Sequence, residues 1–395
     1  MTGSERTSLL NQADLLRLIR SAAWSAMTKR QGLPPTLPPP EDMADHRLAE
    51  FEFGESWPEI HRTMVSFLGL RPGPPQDLTE TAASYAERLK AEWHGGSREI
   101  IFFTSGSTGQ PQPSPHSETL LRQENLETGG FFHGLNRVVV TVPLPHSFGF
   151  IFGLMLPKLL AVPVIDVPPL PTVLTETLKP GDLVVGFPLL FSKLETVAAP
   201  DVHFLSSTAP CPDHVFQALL DKGVSRLTEI YGASETGAVA VRYSTGPFQL
   251  LSYWRRADDR QLSRLCPDGS EQKYALPDHL LWHDSRSFVP AGRLDQAVQV
   301  AGVNVYPGRV ASIIREHPQV KECAVRLMNP AEGFRLKAFV VPDREGSETE
   351  LRLELNRFLR TRLTPPERPG HLTFGRRLPR SPSGKAADWP IEKRS

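Results

Sequence analysis

Phe103-Thr104-Ser105-Gly106-Ser107-Thr108-Gly109 sets hydroxyl side chains and glycines directly after a short apolar run, Ile100–Phe103. Far downstream, Ser381-Pro382-Ser383-Gly384-Lys385 places one lysine on a Ser/Gly loop. Glycines let a backbone approach a ligand closely, and hydroxyls and amides donate to phosphate oxygens. A lysine from a distant segment can offset charge that develops during a reaction. Neither run is a standard P-loop, so the chemistry has to be read from the pair. Taken singly, the first is a tight turn or a phosphate cradle, and the second a solvated lysine or a catalytic one.

Two further clusters lie between them. Tyr231-Gly232-Ala233-Ser234-Glu235-Thr236 follows an expected strand. Tyr231 could stack on a purine and Glu235 could hold Mg²⁺, or they are a core aromatic and a surface acid. Gly292-Arg293-Leu294-Asp295 offers a guanidinium for ribose or phosphate and a pivot between domains, or a surface ion pair.

These residues need a scaffold, and 395 residues predict two domains or three. From 98 to 245 the expected strands Ile100–Phe103, Arg137–Val142, Ala161–Val167, Leu183–Gly186, Val202–Ser206 and Arg226–Tyr231 alternate with helical stretches, an α/β pattern. Residues 1–97 form a shortened helical entry region, with one helix expected over Leu78–Trp93. Residues 246–291 are polar and turn-rich. After Asp295 come a hairpin (Ala297–Val305), a helix (Pro307–Glu316), strands Glu322–Met328 and Leu336–Pro342, and a helix Glu348–Leu363, which make a compact α+β module. We therefore expect a large N-terminal α/β domain over 1–294 and a small mobile α+β domain over 295–395.

Composition excludes several classes of partner. Lys+Arg and Asp+Glu number 44 each, so no bulk field recruits nucleic acid. The most apolar stretch, Phe148–Val167, is interrupted by Lys158 and two prolines and predicts a buried strand–helix segment, with no membrane span. Cys211, Cys266 and Cys323 are scattered without metal-ligand spacing. With no signal-peptide pattern at the start, a cytoplasmic protein is expected.

The order of the motifs resembles the adenylate-forming superfamily: acyl-CoA synthetases, aryl-acid ligases and peptide-synthetase adenylation domains. Supporting runs are Pro143-Leu144-Pro145-His146-Ser147-Phe148-Gly149, Ser206-Ser207-Thr208-Ala209-Pro210, and Val300-Ala301-Gly302-Val303-Asn304-Val305-Tyr306-Pro307. The resemblance covers residues 98–390. It implies that a carboxylate attacks the α-phosphate of Mg²⁺-ATP, giving an acyl-adenylate and pyrophosphate. A thiol, of coenzyme A or of a carrier's phosphopantetheine, then displaces AMP. By matching position, Thr104, Ser105, Gly106, Ser107, Thr108 and Gly109 would hold the β- and γ-phosphates. Tyr231, Gly232 and Ala209 would pack the adenine, Ser234 would sit near the α-phosphate, and Glu235 at Mg²⁺. Arg293 would reach the ribose, and Lys385 would bridge carboxylate and α-phosphate. Asp295 matches the hinge and Gly302 the thiol tunnel, while His146, Phe148, Gly149 and Thr208 fall at the acid pocket.

The chain departs from the family pattern in three places. Gln112 stands where the phosphate loop normally carries lysine, and Thr208 where glycine is frequent. The usual Thr-Gly-Asp ribose segment is not recognisable, and Asp284 is the nearest acid. The segment His146–Phe150 has no acid to pair with an α-ammonium, which favours a carboxylic acid without one. Phe148, Phe150 and Phe152 line an apolar cavity or simply pack the core. An aryl acid from a secondary-metabolite pathway is expected first and an acyl chain second. A separate acyl carrier protein is the alternative acceptor, and a non-catalytic nucleotide-binding homologue the alternative class.

Overall fold

The structure of this chain, a computed structural model, describes residues 8–31, 43–48, 54–71, 73, 78–105, 111–197, 199–294, 297–300, 303–329, 332–344, 346–380 and 387–391. It divides into two compact units, Met1–Thr104 with Gln112–Ala291, and Ser105–Pro111 with Gly292–Ser395.

The first unit is organised by a nine-stranded sheet. Five of its strands are parallel, in the order Val164–Asp166, Arg137–Val140, Asp182–Gly186, His203–Ser206 and Arg226–Ala233. Gly237–Arg242, Phe248–Leu250 and Ser287–Arg293 continue antiparallel, and Asp278–Trp282 forms the edge. Side chains alternate along a strand, and here both faces are buried. Val138, Val140, Leu183, Val185 and Leu205 enter one core, while Val139, Val184, Phe204 and Leu227 enter another. That double burial is why these strands are nearly continuous apolar runs in the sequence.

The N-terminal entry region is helical as expected, with helices Gln12–Gln31 and Ala82–Gly95 and a further one, Trp57–Phe67, between them. They bury Leu15, Leu18, Ile60, Met64, Tyr85, Leu89 and Trp93 in the first core. The third begins at Ala82, later than the expected Leu78, because Thr81 caps it by accepting from the Ser84 amide at 3.2 Å. Phe148–Val167 is mostly helical. A π-helix, Gly149–Met155, runs into a helix, Leu156–Leu160, and a three-residue strand ends the segment. A Cβ on Gly149 would lie 2.0 Å from the Pro143 carbonyl oxygen, so only glycine allows this entry. π-helical turns are rare and cluster at functional sites.

In the second unit, Val320–Leu327 and Leu336–Pro342 pair antiparallel, and His371–Phe374 adds in parallel. The helices Pro307–Arg315 and Glu348–Arg360 cover them, burying Val310, Ile314, Leu351, Leu355 and Leu359 with Val340 and Leu372. The hairpin Val298–Val300 with Val303–Val305 falls where the sequence places it. The three cysteines are free. Among the described residues no helix is long and apolar enough to cross a membrane.

Candidate active site

The nominated motifs of the first unit gather on one edge of its sheet. Arg137–Val140, His203–Ser206 and Arg226–Ala233 run parallel, so the loops that follow them leave the sheet at the same carboxyl edge. Those loops carry His146, then Thr208 and Ala209, then Ser234 and Glu235. Open α/β sheets bind ligands at this edge. The chain also reverses direction across the sheet at Arg137–Val140, whose sequence successors Val164–Asp166 and Asp182–Gly186 lie on opposite sides of it.

Tyr231 to Gly237 forms a tight hairpin tip. The ladder between its strands slips after Tyr231, which is a bulge. A Cβ on Gly232 would meet the Gly237 carbonyl oxygen at 2.2 Å, so this position needs glycine. The Thr236 hydroxyl closes the tip by accepting from the Ala233 amide at 3.1 Å and donating to the Gly237 carbonyl at 2.9 Å. Glu235 is exposed at the tip and Ser234 is half-buried.

Three buried side chains that sequence reasoning missed grip this tip from below. His116, on the strand Pro111–Ser117, donates from Nε2 to the Ser234 carbonyl at 2.6 Å and packs its ring 5.1 Å from Phe102. Burial pushes its pKa down to about 4, so the ring is neutral with the proton on Nε2. Arg264 is fully buried; it donates to the Leu120 carbonyl at 2.7 Å and the Thr236 carbonyl at 3.5 Å, and lies over the rings of Tyr253 and Trp254. Glu124 accepts from the Ala238 amide at 2.9 Å. Burial lifts its pKa to about 7 against the pull of Arg264 and the Ala238 amide.

A carboxyl with a raised folded pKa holds more protons folded than unfolded, so its contribution is present below about 4.5 and lost as pH rises through about 7. Glu124→Gln removes that dependence. The stability of the variant minus that of the parent should climb between pH 4.5 and 7 by on the order of 3 kcal/mol. Denaturant unfolding at several pH values measures it, and a flat difference would refute the assignment.

The neighbouring loop is held similarly. Glu229 accepts from the Cys211 amide at 2.8 Å and pairs with Arg242 at 2.6 Å, and Arg242 returns a bond to the Cys211 carbonyl at 2.7 Å. This buried bridge fixes the Thr208–Cys211 turn. Thr208 has φ +72°, the left-handed region where glycine is the easy residue. Ser206 Oγ and Thr208 Oγ1 are buried with no hydrogen-bond partner among the described residues. Such hydroxyls are costly unless a ligand group meets them.

Tyr231 packs edge-on to Phe288 at 5.2 Å, and its hydroxyl donates to Asp278 Oδ2 at 2.7 Å. Asp284, the expected ribose acid, is engaged elsewhere. It accepts from the Arg286 amide at 2.7 Å, the Ser287 amide at 2.7 Å and the Ser287 hydroxyl at 2.6 Å, closing its own turn. The bond from the Ser287 hydroxyl is the main cause holding its carboxyl below the usual range. Asp278 lacks the Thr-Gly prefix, so the sequence signal that would have found it is missing.

His146 is half-buried, and burial lowers its pKa. Phe148, Phe150 and Phe152 all pack in the first core: Phe150 lies 5.4 Å from Phe67 and 5.9 Å from Phe102, and Phe148 and Phe152 pair at 5.3 Å. Thr104 and Ser105 end the strand Glu99–Ser105, and Gln112 is exposed on the strand that follows the loop. Arg293 ends the strand Ser287–Arg293. Gly106, Ser107, Thr108, Gly109, Asp295, Gly302 and Lys385 lie outside the described residues.

The expected Mg²⁺ fits this donor set. Mg²⁺ takes one or two carboxylates and completes its shell with water and phosphate oxygens. Glu235 offers one exposed carboxylate, and no group of three metal-ligating side chains exists among the described residues.

Comparison with known proteins agrees with this geometry. The profile of the AMP-binding enzyme family matches residues 52–262, and that of the AMP-binding enzyme C-terminal domain matches 309–385. A 4-coumarate–CoA ligase of Halorhodospira halophila is 34% identical over 386 residues, 95% of this chain and 99% of that protein. Another, from Rhodobacter capsulatus, is 39% identical over 305 residues, 74% and 75% of the two chains. The fold is shared with the amide bond synthetase McbA of Marinactinospora thermotolerans, at TM-score 0.58 and 20% identity over 73% of this chain and 67% of that one. It is shared also with o-succinylbenzoate CoA synthetase of Bacillus subtilis, at TM-score 0.59 and 18% identity over the same shares. The chain belongs to the adenylate-forming, AMP-binding enzyme family.

Proposed function

We propose that this chain is an ATP-dependent aryl-acid–CoA ligase. The AMP-forming acid–thiol ligase class follows from membership in the family, and the small carboxylic acid, ATP, Mg²⁺ and CoA follow with it. The aryl class of acid rests on near-full-length similarity to a 4-coumarate–CoA ligase and on the lack of an acid in His146–Phe150. The observation that carries the reading is the gathering of the His146, Thr208 and Ser234 loops on one sheet edge.

In the first step a carboxylate oxygen bonds to the α-phosphorus and the bond from that phosphorus to the bridging oxygen breaks, releasing pyrophosphate. Thr104 to Gly109 hold the β- and γ-phosphates by amides and hydroxyls. Tyr231 and Ala209 pack the adenine, with Gly232 giving the ring room. Asp278 is the better-placed carboxylate for the ribose, because it accepts from the hydroxyl of Tyr231, the residue that packs the adenine, whereas Asp284 closes its own turn. Ser234 faces the α-phosphate, and its placement is fixed by His116 through its own carbonyl. Glu235 would hold Mg²⁺, which supplies charge neutralisation between phosphates. Arg293 reaches the ribose, and Lys385 offsets the charge shared by carboxylate and α-phosphate. In the second step the thiol sulfur attacks the acyl carbon, the acyl C–O bond breaks, AMP leaves, and the thiol proton passes to water. Asp295 is the hinge between a domain over 1–294 and a lid over 295–395, and the swing brings Gly302 to the thiol.

Thioester formation with Mg²⁺-ATP and CoA, across hydroxycinnamates, benzoates, fatty acids and amino acids, tests the reading. Aryl acids should exceed fatty acids by at least about 10-fold in kcat/KM, which is roughly 1.4 kcal/mol. A preference for fatty or amino acids would overturn the aryl assignment. Turnover with a phosphopantetheinylated carrier protein and none with CoA would move the acceptor to a separate carrier.

A further inference from the structure

Lys337, on the central strand of the second unit, is fully buried. Lysine is almost never fully buried unless it is paired, and here each of its three N–H bonds has an acceptor. Nζ donates to Glu332 at 2.8 Å, to Asp388 Oδ2 at 3.2 Å and to the Trp389 carbonyl at 2.6 Å. The ammonium also lies 5.2 Å from the Trp389 ring centroid, and that buried ring meets Phe339 edge-on at 5.6 Å. The bond from Lys337 is the first cause holding the Glu332 carboxyl below its usual range, and the amides of Asn329 and Ile391 add to it.

Two of these acceptors, Asp388 and Trp389, belong to the short segment 387–391. The Ala387 amide donates to the Pro379 carbonyl at 3.0 Å. The chain on either side of residues 380–386 is thus tied together, and its far side is held by the Lys337 ammonium, by the Ile391 amide on Glu332 and by the Trp389 ring against Phe339. Lys385 is three residues from Asp388. A buried ion pair is a poor source of stability compared with apolar packing, so the core alone does not call for lysine at position 337.

We propose that Lys337 is a positioning residue for Lys385: by holding Asp388 and Trp389 to the sheet it fixes the exit of the segment that carries Lys385. This rests on the reading of Lys385 as the adenylation lysine. A lysine that must meet both a carboxylate and an α-phosphate works only when held in place, and a misplacement of about 1 Å can cost about 10²-fold. Without the ammonium Asp388 and the Trp389 carbonyl lose their shared partner, and the exit of the segment is held less firmly.

The test uses the full chain and measures the two half-reactions separately. Pyrophosphate release from ATP and 4-coumarate reports adenylation; CoA thioester formation from synthetic coumaroyl-adenylate reports thiolysis. Lys337→Met should slow adenylation by about 10–100-fold in kcat, with the KM for ATP and the rate of thiolysis within about 2-fold of the parent. Asp388→Asn, whose side chain is half-exposed and safe for folding, should show a smaller loss with the same partition. If Lys337→Met does not fold, Asp388→Asn decides alone. Lys385→Ala serves as the reference. If it abolishes adenylation while folded Lys337→Met and Asp388→Asn are unimpaired, the positioning role is refuted and the role of Lys385 stands. If Lys385→Ala itself is unimpaired, both readings fall. Equal losses in the two half-reactions would mark a general destabilisation and refute the positioning role.

Discussion

Lys385→Ala is expected to cut pyrophosphate formation by about 10²–10³-fold, the scale on which removing one preorganised charge-stabilising group acts. The reacting groups are both anions, and the charge of the chain as a whole is balanced at 44 against 44. Attraction between them must come from a local cation. Gln112 removes the positive charge that the family usually places after the phosphate loop, which leaves more of this work to Lys385. The nucleotide itself should still bind, because Tyr231, Ala209 and Asp278, the residues proposed for adenine and ribose, lie on the first unit. Single-turnover pyrophosphate release together with ATP binding by calorimetry measures both quantities. Unchanged release would sink the mechanism; loss of both in a folded variant would mean that Lys385 binds ATP without a special part in the reaction.

The second large effect separates two aspartates. Asp278→Asn should lower kcat/KM for ATP by about 10–100-fold, since a hydrogen bond to a charged group is worth about 1.5–3 kcal/mol. Asp284→Ala should leave kcat/KM for ATP within about 3-fold. It should instead lower stability, because the three donors that it accepts lie in its own turn. Steady-state kinetics with varied ATP, plus denaturant melts, distinguish the two. The reverse pattern would return the ribose role to Asp284.

Local signals made much of the scaffold legible. The strands around Val138–Val140 and Leu183–Val185 are apolar on both faces because cores lie on both sides, so the sequence marks them without ambiguity. Gly232 was visible as part of a motif, and the structure supplies its reason in the backbone that faces it. Other elements were hidden by their composition. Pro111–Ser117 carries prolines at 111, 113 and 115 and reads as a loop, yet it pairs with Glu99–Ser105. Proline is tolerated at a sheet edge, and each of these two strands is an edge.

The supports of the site were the least legible part. His116 bonds a carbonyl 118 positions away and Glu124 an amide 114 positions away. Lys337 reaches Trp389 across 52 positions. Nothing in the spacing of these residues announces a partner, because the sheet and not the local chain brings them together. Among them only Lys337, in the apolar strand Leu336–Pro342, stands out in the sequence as a polar residue within an apolar stretch. The burial that makes them expensive also makes them informative once the fold is known.

The most direct test of the central claim is acid-dependent exchange of labelled pyrophosphate into ATP, with 4-coumarate and Mg²⁺ and no thiol present. Adenylation is reversible before the thiol arrives, so the account predicts exchange that needs the acid, yields AMP and no ADP on addition of CoA, and is lost in Lys385→Ala. Binding of ATP without exchange for any aryl, fatty or amino acid would contradict it and leave a nucleotide-binding protein without this chemistry.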